Sequence, residues 1–256
     1  MGVPGVPGLE PSVALSGLTI ATGVREQLAW ARATGFRAVQ LDAGARECRP
    51  RELSRSARRD LAALLRRSEL TLSGVDLFLP PEHLLDPVRA DRAMSALGAA
   101  CTFAVELSEL VTGSTKAATV STVLPGGPES GRVFEALADA ASTAGARIAD
   151  HAWPVREEIT GNEGGMPVGV GVDPAVLIAA GANPATEASR LAGKVLAARL
   201  SDRGPAGRTI AGRGKLDVLS YVVALVTGGY SGALVVDLRG LENQAGAGQS
   251  ALELFR

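Results

Sequence analysis

Short apolar runs alternate with segments of helical spacing along the whole chain. Val13–Ile20, Phe36–Leu41 and Leu70–Leu79 read as strands, followed by Ala117–Leu124, Ala146–Ala149 and Val168–Val172. Val195–Leu200 and Ala233–Val236 complete a set of eight. Between them, apolar positions three and four residues apart predict helices over Val24–Thr34, Arg51–Ser68, Pro87–Leu110 and Glu129–Ala144. Short helices start at Asp173-Pro174 and Asn183-Pro184, and longer ones cover Lys215–Thr227 and Ala247–Phe255. Ala152–Met166 reads as irregular, with one turn at Val155–Ile159.

Strand–helix alternation of this kind implies parallel strands joined by right-handed crossovers. Eight such units in 256 residues predict a closed (β/α)8 barrel, an α/β fold of one domain. No GxGxxG opens a helix after the first strand and no Walker loop is present, so the common open-sheet nucleotide signals are missing. Residues 1–11, rich in Pro and Gly, read as a loose arm before a barrel spanning 12–256.

Composition narrows this picture. Hydrophobic residues make up 46% but aromatics only 4%, so the core must be built from Ala, Val, Leu and Ile. The formal charge of −1 gives no electrostatic reason to expect nucleic acid or an anionic membrane. No apolar run approaches the roughly 20 residues a membrane helix needs. Two cysteines far apart form neither a disulfide framework nor a zinc motif. The N-terminus has no leader pattern, so a cytoplasmic location is the expectation.

Barrel chemistry sits at the carboxyl ends of the strands. The polar residues there are Asp42, Asp76, Asp150-His151, Asp173, Asp202-Arg203, and Asp237 with Arg239. Strands five to eight all end in an acid, and converging carboxylates need a cation, arginines or protonation. Oxygen ligation with one imidazole suits Mg²⁺ or Mn²⁺. Asp173 before Pro174 also has the form of a helix N-cap, and Asp237 can pair with Arg239. After strand seven, Arg203, Arg208 and Arg213 are interleaved with glycines, a composition suited to gripping an anionic group.

The chain resembles the xylose isomerase-like TIM-barrel superfamily, the sugar phosphate isomerase/epimerase group. The resemblance rests on GLTIATGVREQLAWARATGFRAVQLDA, on VGVGVDPAVLIAAGANPATEASRLAGKVLAARLSDR and on GRGKLDVLSYVVALVTGGYSGALVVDLRG. It implies an isomerase or epimerase moving a proton on a small sugar or polyol. One divalent metal, Mg²⁺ or Mn²⁺, would be held by Asp173, Asp237 and His151. His151 and Asp237 would be the catalytic acid/base pair, with Asp202, Arg203, Arg208 and Arg213 binding substrate, in a protein able to form a homo-oligomer. The motif departs in places: Val176 and Arg199 stand where two histidines are usual, and Asp237 where a glutamate is usual. A second reading follows, a barrel without the metal site that binds a sugar or serves as a scaffold. If Arg199 points into the mouth and contacts the acids, the metal-dependent reading loses its site.

Overall fold

The computed structural model describes residues 8–114, 118–160 and 167–256. The arm as far as residue 7 and the Gly-rich stretch 161–166 therefore lie outside the described residues. Eight parallel strands form the barrel: β1 (Pro11–Ala14), β2 (Ala38–Asp42), β3 (Thr71–Asp76), β4 (Thr119–Thr122), β5 (Arg147–Asp150), β6 (Val168–Val172), β7 (Val195–Leu200) and β10 (Leu234–Val236). A short pair, β8 (Asp202–Gly204) and β9 (Gly207–Thr209), lies outside it. The barrel closes in the order β1-β10-β7-β6-β5-β4-β3-β2. Around it run α1 (Val24–Thr34), α2 (Arg55–Arg67), α3 (Ala90–Thr112), α4 (Ser130–Ala144), α5 (Glu157–Thr160), α6 (Pro174–Ala179), α7 (Pro184–Arg190), α8 (Val218–Thr227) and α9 (Gln244–Glu253). The single-domain (β/α)8 expectation is met.

Strand sequences read as nearly continuous apolar runs because both faces are covered. β6, VGVGV, shows the division of labour. Val168, Val170 and Val172 join the hydrophobic core, while a side chain at Gly171 would run into the His151 ring. Caps fix several helix starts. Ser54, Asp173, Asn183, Asp217 and Asn243 each accept an N-terminal N–H from their own helix. On α2, Arg55, Arg59, Arg66 and Arg67 are exposed, while Arg58 is half-buried and reaches Glu106 on α3 at 2.5 Å.

Beyond shifts of a few residues at element ends, the structure differs from the pattern in three places. β1 ends at Ala14, because Gly17 (φ 73°) turns the chain and Leu18 N–H bonds back to the Leu15 carbonyl. α3, at 23 residues, is long and apolar enough to cross a bilayer by length and composition, which a search for unbroken apolar runs does not register. It lies instead along the barrel, with Leu97, Cys101, Phe103 and Leu107 buried. The glycine-rich loop after β7 folds into the antiparallel β8–β9 hairpin. Both cysteines are buried, and burial pushes their thiols up to about 12, so they are inert packing groups.

Candidate functional site

At the carboxyl ends of the strands, Asp76, Asp173 and Asp237 meet Arg199, Arg208 and Arg239. Arg199 projects inward from β7 and is 1% exposed. Its Nη2 donates to Asp76 Oδ1 at 2.7 Å and its Nη1 to Asp237 Oδ2 at 3.2 Å. Arg208, on β9, donates to Asp173 Oδ2 at 3.0 Å and to Asp237 Oδ2 at 3.3 Å. Arg239 bonds Asp237 through Nε (2.9 Å to Oδ1) and Nη2 (2.5 Å to Oδ2). Three positive and three negative groups thus close a neutral network, in which every acid has a guanidinium partner.

Each member is positioned by its own element. Asp173 caps α6 by accepting the Ala175 N–H at 3.1 Å, and it also accepts the Ser201 hydroxyl at 2.5 Å. The capping role that the sequence predicts for Asp173 is met, and the same carboxylate also pairs with Arg208. Asp76 ends β3 and accepts the Ser16 hydroxyl at 2.5 Å. Phe78, two residues on, spreads its ring beside two cations: the Arg199 guanidinium lies 5.2 Å from its centroid and that of Arg239 4.7 Å. The hairpin register sets Arg203 opposite Arg208, so both lie on the same hairpin face.

Burial and charge pull the two inner acids apart. Burial works against ionising Asp237, but Arg199, Arg239 and Arg208 outweigh it and hold its carboxyl well below the usual carboxylate range. Asp76 has one guanidinium hydrogen-bond partner, and burial pushes its pKa up from the ordinary value, with Arg199 and Ser16 opposing that rise. Arg199 stays charged, because Asp76 and Asp237 overcome the cost of its burial.

His151 follows β5, is 6% exposed, and neither ring nitrogen has a hydrogen-bond partner. Its ring lies against Gly171, and its centroid is 6.1 Å from that of Phe78. Burial first, then Arg199 and Arg239, hold its pKa well below the ordinary histidine value. The imidazole is therefore neutral, a weak base with one empty donor and one empty acceptor.

The sequence-predicted residues divide accordingly. Asp173, Asp237 and Arg208 come together with Arg199 and Arg239. Asp202 stands apart from them. Its carboxylate accepts the backbone N–H groups of Arg203, Gly212, Gly214 and Leu216 at 2.7 to 3.0 Å. It shapes the loop and has no spare oxygen for substrate. Arg213 is exposed in the turn beyond the hairpin. Asp150, at the end of β5, is bound by Arg156 Nε at 2.9 Å and by the N–H groups of Leu124 and Ala152. The contributions of Phe78 and Ser16 leave no signal in the sequence. Asp76 does leave one: it and Arg199 are opposite charges set in otherwise apolar strands.

The expected metal set does not fit a divalent ion. Among the described residues, no group of three His, Cys, Asp or Glu side chains is arranged to hold one. Asp173 and Asp237 spend their oxygens on arginines, and Arg199 places a fixed cation between the strands that carry them.

The fold is a closed, single-domain (β/α)8 barrel, the fold that the sequence resemblance implies, and solved xylose isomerase-like proteins share it. No protein-family model and no curated relative matches the sequence. Among solved structures, a xylose isomerase domain protein from Planctomyces limnophilus superposes with TM-score 0.73 at 17% identity, covering 96% of this chain and 95% of that one. D-psicose 3-epimerase from Clostridium cellulolyticum H10, solved with D-tagatose, gives TM-score 0.74 at 14% identity, covering 97% and 98%. A probable 3-DHS dehydratase from Bacillus anthracis gives 0.69 at 10%, covering 95% and 98%.

Proposed function

We propose that the barrel mouth binds a small sugar- or polyol-type ligand without a metal ion, with arginines supplying the positive charge a cation would supply. The observation that carries this reading is Arg199, buried between Asp76 and Asp237 where the related pattern has a histidine. The neighbours include sugar epimerases, which supports a ligand of that general kind. A guanidinium carries five N–H donors, so three of them outnumber what three carboxylates accept. Arg208 and Arg239 are 22% and 28% exposed, which leaves their outer edges facing the mouth. The site is thus rich in donors and suits a ligand rich in acceptors, such as a keto sugar, sugar acid or sugar phosphate. His151 adds one neutral donor and one acceptor for a hydroxyl.

The two groups expected to transfer protons are poorly set for it. Asp237 is ionised and saturated with donors, and His151 is a weak base with no orienting partner. The binding reading is therefore preferred over proton transfer. Thermal shift of the purified chain against aldoses, ketoses, sugar acids and sugar phosphates, with and without EDTA, tests it. The expected result is a shift that EDTA leaves intact and that Arg208→Ala reduces at least tenfold in apparent affinity. A shift produced by Mn²⁺ alone and lost in Asp173→Asn would overturn it. The isomerase reading has its own test, deuterium uptake from solvent into the ligand. Uptake that vanishes in His151→Gln would establish catalysis.

A further inference from the structure

The opposite end of the barrel holds a cavity of about 420 Å³. Its size falls within the range of small-molecule sites, roughly 300 to 1,000 Å³. The cause lies in the sequence. A barrel normally fills its interior with bulky branched side chains. Here Ala38, Ser73, Gly74, Thr119 and Ala197 line the space. Gly74 could not be enlarged, because a Cβ there would meet the Thr119 carbonyl oxygen at 2.8 Å.

Two polar groups on the wall each carry an atom without a partner. Gln40 projects inward from β2 and is 2% exposed. One end of its amide bonds the Ser121 hydroxyl at 3.0 Å; the other, Oε1, is buried with no partner. Arg147, at the start of β5, also lines the cavity, and its Nε is buried without a hydrogen bond. The one acid among the described lining residues is Glu10, which is exposed and so stands at the rim. An unpaired acceptor, an unpaired guanidinium donor and a rim carboxylate describe a complementary ligand. It needs a carboxylate for the guanidinium and hydroxyls to donate to the amide and to the rim acid.

We infer that the cavity at the amino-terminal end of the barrel is a second binding site, for a small hydroxy carboxylate, with Arg147 holding the carboxylate and Gln40 accepting a hydroxyl. The site shares no residue with the mouth network, so the two readings stand or fall separately.

Isothermal titration of the full-length chain with D-glycerate, with glycerol as the uncharged counterpart, tests this. D-glycerate should bind, and glycerol should bind at least tenfold more weakly. Arg147→Met should reduce D-glycerate affinity tenfold or more and Gln40→Met severalfold, while Arg208→Ala should leave it unchanged. Ser231→Trp, placed on an exposed loop residue lining the cavity, should block access and keeps the test informative should Arg147→Met fail to fold. No heat with D-glycerate at about 10 mM, equal binding of glycerol, or a loss seen in Arg208→Ala but not in Ser231→Trp would each overturn the inference.

Discussion

The two ends of the barrel treat polar groups in opposite ways. At the carboxyl end, three acids and three arginines are packed together until each acid is paired and Arg199 is 1% exposed. At the amino end, small side chains leave a space, and its wall includes Gln40 and Arg147, each with a buried polar atom unpaired. The contrast shows that polarity inside a barrel does not mean one thing. A filled charged network resists the loss of any member, whereas an unfilled polar space offers free hydrogen-bonding capacity.

The sharpest way to break the comparison is to remove one partner from the buried pair. Asp76→Ala leaves Arg199 with Asp237 alone and strands the Ser16 hydroxyl. Loss of one partner of a buried ion pair costs about 3–5 kcal/mol. Urea unfolding should show that loss as a lower midpoint with an unchanged m-value. The double variant Asp76→Leu with Arg199→Met removes both charges and should recover much of it. A double variant as unstable as Asp76→Ala would mean that packing, not charge, decides the mouth.

That pair also shows how far the sequence can be read. Strand alternation predicts the eight-stranded barrel, because burial on both faces makes each strand an apolar run whatever the tertiary detail. Asp173 is legible as a cap, because capping is local: Asp173-Pro174 states it within two residues. Asp202 eludes the sequence for the same reason in reverse. Its oxygens are filled by N–H groups as far on as Leu216, and only the folded loop brings them back. The Arg199–Asp76 bond joins residues 123 apart, and no spacing rule reports such a contact. Arg199 itself is visible as a charge in an apolar strand, so the departure from the family pattern is legible while its partner is not.

A second test reads the mouth through pH. The folded pKa of His151 lies well below the unfolded value of about 6.5, so the unfolded chain binds more protons between the two. Stability from the buried neutral ring is fully present above about pH 6.5 and is lost as pH falls toward the folded pKa. The slope is at most about 1.4 kcal/mol per pH unit for one group. Wild type should therefore weaken by about 1–2 kcal/mol between about pH 6.5 and pH 5, before most carboxylates titrate. His151→Leu should lack that slope. The depressed Asp237 adds stability above the ordinary carboxylate pKa that is lost only in stronger acid, while the raised Asp76 acts in the opposite sense in both proteins, so the difference between wild type and His151→Leu reads the imidazole. An unchanged slope in His151→Leu would mean that the imidazole is not held neutral by burial and by Arg199 and Arg239.

The smallest effect is expected at the other end. Gln40 is about as buried as Asp76, so burial alone predicts a comparable loss on replacement. Its bonding predicts otherwise. Gln40→Met gives up the bond to Ser121 but also removes a buried acceptor that had no partner. Replacing a partly satisfied polar group by an apolar one of similar shape is close to neutral, so the change should stay within about 1 kcal/mol. Urea unfolding of Gln40→Met beside Asp76→Ala measures the difference directly. Near-equal losses would show that the floor is as tightly committed as the mouth, and that Gln40 is held for stability. A small loss would leave the amide as a group whose unmet acceptor is free for a ligand hydroxyl.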